Sequence, residues 1–545
     1  MASPTPEPRV EKLFPGLPAY PEPTTRIRLR NRGRRAISAT VQSAFVGLLA
    51  AAAHAAEIKC RLSKKERKFA DEERTRRRAR KDADTQWLSR AKLDAGAHDP
   101  EKHAEDEYEP IEGGRDAMKR DVQYYARRCG LECETIDVVT EDGFILDLWH
   151  IYNPRAAKSS SREAKKRYPV LMIHGLLQSS GAYTCTDEHS FAFHFAKAGY
   201  DVWLGNNRCG FHPRHETLKR SDPRMWAWNI REMATLDLPA LVDEVLRRSQ
   251  CPKLALVGHS QGTSQILIAL HKNFMPDLGS KISVACLLAP AAYPGPLLLE
   301  PSWFFKAMIR MSPSTWRLCF GKHAFLNPFL PIMNHVPMST VSAVGYPLFH
   351  YLFNWSDRNW DIGLRKRSFM WAPTYVSSEH MRWWIGRDGF VKQQCILNTR
   401  EESLLEAEDD AILSKYRRSS LDLSGKIKSL SPEGQQQYDA ALSRVESNPW
   451  FDSRAPPIAM WVAECDELVD GPRLLRRFQH GREPHVNVVH AEIVEDYEHL
   501  DVIWAVDVVD RVGKRVMEVI WDAVDEDVKS QFVVPKSANV PWQKA

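Results

Sequence analysis

The sequence predicts an α/β architecture, a mostly parallel central sheet with helices on both faces and a helical insertion late in the chain. Three observations carry this. Short apolar runs that read as buried strands recur at 170–173, 201–204, 254–257 and 284–288. Stretches with helical spacing at 188–198 and 231–248 separate them, and strand–helix alternation of this kind builds parallel strands covered by helices on either side. The alternation stops at 296–395, a segment rich in Trp, Phe, Pro and Met, and strand signals resume at 457–462 and 486–490.

The elements before and after follow from local chemistry. Glu134 to Val139 reads as a strand, Asp142-Gly143 as a hairpin turn, and Phe144 to Ile151 as the returning strand. Residues 296–395 read as an irregular, largely helical insertion. Residues 396–450 form a polar insertion with an acidic run from Glu401 to Asp410 and a Gln435-Gln436-Gln437 tract, a composition that suits a surface insertion or a disordered loop. A final helix is expected from about Ile503 to Val524. The organisation is then a basic N-terminal region at 1–115, a first core part at 116–295, the insertions at 296–395 and 396–450, a second core part at 451–530, and a tail at 531–545.

Composition narrows the function classes. The 545 residues carry 75 Lys and Arg against 70 Asp and Glu, a net charge of only +5, but the positive charge is gathered near the N-terminus. Arg26, Arg28, Arg30, Arg32, Arg34 and Arg35 precede an uncharged run from Ala36 to Ala56, which is long enough to cross a bilayer. Ser38, Thr40, Gln42, Ser43 and His54 dilute that run, so it reads either as a membrane span or hairpin, or as a soluble Ala-rich helix. The basic clusters suit a solvated arm or contact with anionic lipid headgroups. No zinc-finger or RNA-binding motif accompanies them, so no nucleic-acid partner is expected. Residues 1–25 hold repeated prolines and no apolar stretch of signal-peptide type. The ten cysteines form no CxxC pair or zinc spacing, and there is one glycosylation sequon, Asn354-Trp355-Ser356. These features do not describe a secreted, disulfide-stapled protein, and they call for no metal or cofactor.

The chemistry is expected at Gly258-His259-Ser260-Gln261-Gly262. A GxSxG pentapeptide alone is weak evidence. Here it follows the strand 254–257 directly and opens a helix-like stretch, the strand–turn–helix context of the nucleophile elbow in α/β-hydrolases. Ser260 is therefore the expected nucleophile. It requires a base to take its proton and a carboxylate to orient that base, in the chain order Ser, acid, His. Asp466, at the end of the strand 460–465, is the expected acid, with Asp470 and Glu464 as competitors. His499, after the strand region 486–494, is the expected base, and His490 is the alternative. Acyl transfer also requires oxyanion donors. The backbone N–H of Gln261 is the first. Leu176, in the loop His174-Gly175-Leu176-Leu177 that follows the strand 170–173, is the second.

At this point the sequence resembles a known family, the acid lipases: gastric and lysosomal lipases and, more closely, fungal steryl ester hydrolases. The resemblance rests on several separated motifs. They are Thr140-Glu141-Asp142-Gly143-Phe144-Ile145-Leu146, His174-Gly175-Leu176-Leu177-Gln178-Ser179-Ser180, Gly199-Tyr200-Asp201-Val202-Trp203-Leu204-Gly205-Asn206-Asn207-Arg208, Glu232-Met233-Ala234 with Asp237-Leu238-Pro239-Ala240, the Ser260 pentapeptide, and Tyr497-Glu498-His499-Leu500-Asp501. Leu352-Phe353-Asn354-Trp355 is similar to the fungal group. Two departures stand out: Cys209 is inserted before Gly210, and Ala463-Glu464-Cys465-Asp466 replaces the usual Gly-Gly-Asn-Asp. The resemblance implies hydrolysis of long-chain esters of neutral lipids (steryl esters, triacylglycerols or both) through an acyl-enzyme, without cofactor, with 296–395 as a cap over the site. Within the cap, Trp303, Phe304, Trp371 and Trp383 are expected to line the acyl or sterol pocket. The competing readings are an acyltransferase on the same scaffold and a non-catalytic, membrane-tethered lipid-binding protein. The expected partners are the lipid ester and, through the N-terminal region, a membrane or lipid-droplet surface. The expected location is intracellular: endoplasmic reticulum, lipid droplet or plasma membrane.

Overall fold

The computed structural model describes residues 12–22, 24–62, 67–93, 108–155, 165–333, 335–419, 431–446 and 448–536. Among them, eight strands form one sheet: β1 (Glu132–Val139), β2 (Ile145–Tyr152), β3 (Pro169–Ile173), β4 (Asp201–Gly205), β5 (Leu254–His259), β6 (Ile282–Leu288), β7 (Ile458–Ala463) and β8 (Val488–Val494), in the order β1-β2-β4-β3-β5-β6-β7-β8. β1 and β2 form an antiparallel hairpin, and β2 pairs antiparallel to β4. All remaining pairs are parallel. The central strands are buried along their whole length, and this is why they read as continuous apolar runs rather than as alternating ones.

The pleat sorts their side chains into two cores. Leu171, Ile173, Leu256, Leu287 and Met460 face the helices Leu238–Ser249, Gln261–Leu270 and Gly471–Gln479. Met172, Val257, Cys286 and Trp461 face Phe191–Ala198 and Lys514–Asp522. The expected final helix is interrupted: Asp501–Trp504, a π-turn at Val509–Gly513, then Lys514–Asp522. A second π-turn, Met233–Asp237, interrupts the helical stretch before β5. It brings Asp237, fully buried, against Arg208, also fully buried, whose other carboxylate partner is Asp142 in the β1–β2 turn. Burial alone would favour a neutral guanidine, but the two carboxylates outweigh it and hold Arg208 charged. Cys209 and Gly210, just after it, both have positive φ, 74° and 47°. The inserted cysteine is thus accommodated as a left-handed residue in a tight bend, at a backbone cost.

Between β6 and β7 the chain leaves the sheet. Helices Trp303–Arg310, Pro313–Cys319, Met338–Phe353 and Ser378–Ile385 lie in this excursion. The polar stretch beyond them, expected as surface insertion or loop, contains the helices Arg400–Ser419 and Pro432–Glu446, which pack on each other through Leu413, Ala441 and Val445. Part of its acidic run, Glu406, Asp409 and Asp410, is buried rather than solvated, while Glu401 and Glu408 are exposed. Glu406 accepts hydrogen bonds from Tyr293 Oη, Asn398 Nδ2 and Arg477 at 2.5, 2.7 and 2.6 Å.

The N-terminal region adds a helix, Thr25–Leu62, packed on Met338–Phe353 and Pro313–Cys319. Phe45 sits against Phe304 and Phe320, and Ser38 Oγ donates to the Cys319 carbonyl at 3.0 Å. Within it, Ala36–Ala55 is long and apolar enough to cross a membrane, and only 22% of that window is buried in the protein. The side chains of Arg26, Arg28, Arg30, Arg32 and Arg35, and residues 537–545 of the expected tail, lie outside the described residues.

The Arg208 cluster gives a stability test. Replacing Arg208 with Met leaves the carboxylate of Asp237 buried without its cation, and breaking a buried pair on one side costs about 3–5 kcal/mol. Urea unfolding of Arg208→Met should show a loss of that order; a loss below about 1 kcal/mol would show that the cluster is not a structural tie.

Candidate active site

β5 ends at His259, and the helix Gln261–Leu270 begins two residues later. The single residue between them, Ser260, has φ 54° and ψ −118°. A non-glycine residue held there is strained, and the surrounding glycines make the turn feasible. A Cβ on Gly262 would lie 2.5 Å from the Ile173 carbonyl, and one on Gly258 would lie 2.9 Å from the backbone of Gly262. The turn therefore packs directly against the end of β3, where the loop His174–Leu177 starts.

His499 reaches Ser260 from the loop after β8. Its Nε2 is 2.8 Å from Ser260 Oγ, and its Nδ1 is 2.6 Å from Asp466 Oδ2. The side chains of His499 and Asp466 are almost completely buried. The other oxygen of Asp466 accepts from the backbone N–H groups of Leu468 and Val469 at 2.9 and 3.1 Å, which fixes the carboxylate at the end of β7. The competing acids are used elsewhere: Glu464 accepts from the Asp496 N–H, and Asp470 caps the helix Gly471–Gln479 through the Arg473 N–H. His490 lies on the edge strand beside Trp461 and Glu492. A serine hydroxyl facing an imidazole that a carboxylate orients can attack an acyl carbon while passing its proton to the ring.

Leu176 and Gln261 both face the same space as Ser260. Among the described residues, neither backbone N–H donates to a protein acceptor. Their loop is held by polar groups that sequence reasoning did not single out. His174 donates through Nδ1 to the Gly175 carbonyl and accepts at Nε2 from the Asn207 N–H, and burial pushes its imidazole down to about 4, so it stays neutral. Asn207 and Gln265 exchange side-chain hydrogen bonds at 2.9 and 2.7 Å. His259 donates to the His499 carbonyl at 3.1 Å, and burial, with the neighbouring His499 adding to it, lowers its own pKa to about 3. The side chain of Gln261 is gripped from the other side by His380 and Trp384 of the helix Ser378–Ile385, at 2.6 and 3.2 Å. The Asn-Asn-Arg and Gly-His-Ser-Gln motifs held this information, but in residues whose partners lie 33 to 240 positions away.

Ser260 opens into a cavity whose walls are almost wholly apolar. Phe305, Phe349, Phe353, Trp355, Phe369 and Trp384 supply most of its aromatic surface. None of the four aromatics expected there lines it. Trp303 points to solvent at 65% exposure. Phe304 packs on Phe45 of the N-terminal helix. Trp371 fills the space over Gly181, beside Tyr125 and Trp149. Trp383 stacks on Phe14 of the N-terminal segment, with ring centroids 5.6 Å apart. Successive helical residues point about 100° apart, so Phe305 and Trp384 reach the cavity while their neighbours Phe304 and Trp383 serve other contacts.

Comparison with known proteins agrees with this fold. Residues 122–187 match the model of a partial α/β-hydrolase lipase region, and 168–310 match the α/β-hydrolase fold. Sterol esterase 2 of Saccharomyces cerevisiae is 34% identical over 73% of this chain and 71% of its own length. A probable lipase of Schizosaccharomyces pombe is 28% identical over 75% of this chain and 82% of its own. Gastric triacylglycerol lipase of Bos taurus is 26% identical over 72% of this chain and 88% of its own. Sheet order, serine turn and extended similarity together show that the chain belongs to the acid lipase family of α/β-hydrolases, alongside sterol esterase and gastric lipase.

Proposed function

We propose that the protein hydrolyses long-chain esters of neutral lipids, with Ser260 as nucleophile, His499 as base and Asp466 as the group that orients His499. That the chain is a carboxylic ester hydrolase follows from its family. The observation that carries the residue assignment is the unbroken hydrogen-bonded chain Asp466–His499–Ser260, set in the wall of an apolar cavity. Ser260 attacks the ester carbonyl as His499 Nε2 takes its proton. The N–H groups of Leu176 and Gln261 receive the oxyanion, His499 returns the proton to the leaving alcohol, and water activated by the same imidazole releases the fatty acid. The apolar cavity suits an acyl chain or sterol body, and the segment 296–395 acts as the cap that excludes water from it. Steryl esters and triacylglycerols, the substrates named for the relatives, are the candidate classes.

The apolar helix segment Ala36–Ala55 supports attachment to an intracellular membrane or lipid-droplet surface, where such esters accumulate. Its exposed Ile37, Val41 and Leu48 recur on one face, the face left uncovered by the cap helices.

Two measurements test this reading. Purified protein should release fatty acid from cholesteryl oleate, from triolein or from both. Ser260→Ala should abolish release, and Asp466→Asn should lower kcat by about 10³–10⁴-fold. Full activity in Ser260→Ala would refute the assignment. In cells, removal of residues 1–62 should shift the protein from membranes to the soluble fraction; retention on membranes would refute the role given to the helix.

A further inference from the structure

His499 is held from the sheet side by Asp466, and from the opposite side by the insertion. The helix Met338–Phe353 ends at Asn354, which has a positive φ of 55°. That turn delivers Trp355 flat onto the His499 ring: the planes are 8° apart and the centroids 5.6 Å apart, a parallel, offset stack. Trp355 is 8% exposed and lies against Phe353 and Phe349, themselves nearly parallel to it at 4.5 and 6.0 Å. The segment then clasps the His499 loop on both flanks. Ser356 donates through its N–H and its hydroxyl to the Glu498 carboxylate, at 2.5 and 2.6 Å. Asn359 and Trp360 donate to the two oxygens of Asp501, at 2.9 and 2.6 Å. Glu498 and Asp501 are the near neighbours of His499 in the chain, so the clasp and the stack fix the same four-residue stretch.

We infer that Trp355 is a positioning residue for His499, supplied by the cap rather than by the hydrolase core. The inference rests on the assignment of His499 as the base. The ring must turn neither away from Asp466 nor away from Ser260, and an aromatic plane against one face permits only the in-plane orientation. When His499 carries the serine proton it is a cation in an apolar, water-poor space, and the negative face of an indole stabilises a cation within about 6 Å. The indole N–H does not explain the placement, because Nε1 is buried and makes no hydrogen bond among the described residues. The contribution of Trp355 is therefore its aromatic face, and a phenyl ring should supply most of it.

Full-length Trp355→Leu, Trp355→Phe, Ser356→Ala and Ser260→Ala, each checked for native circular dichroism, should be assayed on p-nitrophenyl butyrate and p-nitrophenyl palmitate. A group acting through His499 affects every ester alike, whereas a pocket wall affects the long chain and acts through KM. The expected result is that Trp355→Leu lowers kcat about tenfold on both esters, with KM for the butyrate changed by less than about twofold. Trp355→Phe should recover most of that loss, and Ser356→Ala should lower kcat on both esters to a smaller extent. Should Trp355→Leu not fold, the Phe and Ser356 variants carry the same comparison: near-native kcat in the first and equal losses on the two esters in the second support the role. An unchanged butyrate kcat in Trp355→Leu, a loss confined to palmitate, or a Phe variant no better than Leu would overturn it. Activity persisting in Ser260→Ala would instead overturn the triad assignment on which it rests, so the two failures are distinct.

Discussion

Everything in the site depends on one backbone constraint: a serine held in left-handed conformation at the single residue between a buried strand and a helix. The strain at Ser260 is tolerated because the strand before it is fully buried and the helix after it is packed through all ten of its residues. It also depends on glycines at 258 and 262, where the backbone of the turn approaches itself and the end of β3 too closely for any side chain. That approach sets the distance between Ser260 and the loop of Leu176. It makes the placing of the proposed oxyanion donors a consequence of packing between neighbouring parallel strands, not a separate device.

The second layer is polar, buried and closely hydrogen-bonded, with only the Nδ1 atoms of His259 and His380 among its histidines left without a partner within the described residues. His174, Asn207 and Gln265 brace the Leu176 loop, and His259 and Asp501 brace the loop of His499. Buried hydrogen bonds of this kind matter more for what their loss would cost than for what each adds, since an orphaned buried group forfeits its solvation. The three histidines around His499, namely His174, His259 and His380, are all kept neutral by burial, with pKa values pushed down to about 4, 3 and 3. The imidazole that stands between a carboxylate and the serine is thereby separated from neighbours that could compete with it as cations. The insertion joins this layer from above, through Trp355 on His499 and through His380 and Trp384 on Gln261.

What was legible in the sequence is what is local. Buried strands, the hairpin turn at Asp142-Gly143, the serine turn and the carboxylate after β7 are each written in a few consecutive residues, and the three residues proposed as the triad, Ser260, Asp466 and His499, meet in space. What was not legible depends on distant partners. Glu406 belongs to a stretch whose composition reads as solvated, yet Arg477, 71 positions on, buries it. The cavity aromatics are not legible in the sequence because the insertion is apolar on both faces. One face meets the substrate space. The other meets Phe14 and Phe45 from the N-terminal region, and local sequence does not say which is which. The π-turns at Met233–Asp237 and Val509–Gly513 leave no mark in the periodicity; each runs directly into an α-helix, and the final helix that it predicts as continuous is broken at 505–507.

The most direct test of the account is a crystal structure of the protein inhibited by a long-chain alkyl phosphonate, which forms a stable tetrahedral mimic of the acylation intermediate. The account predicts phosphorus bonded to Ser260 Oγ, a phosphonyl oxygen within about 3 Å of both the Leu176 and Gln261 nitrogens, and the alkyl chain running between Phe305, Phe353 and Trp384. An adduct on any other residue, or a chain lying outside that cavity, would contradict it.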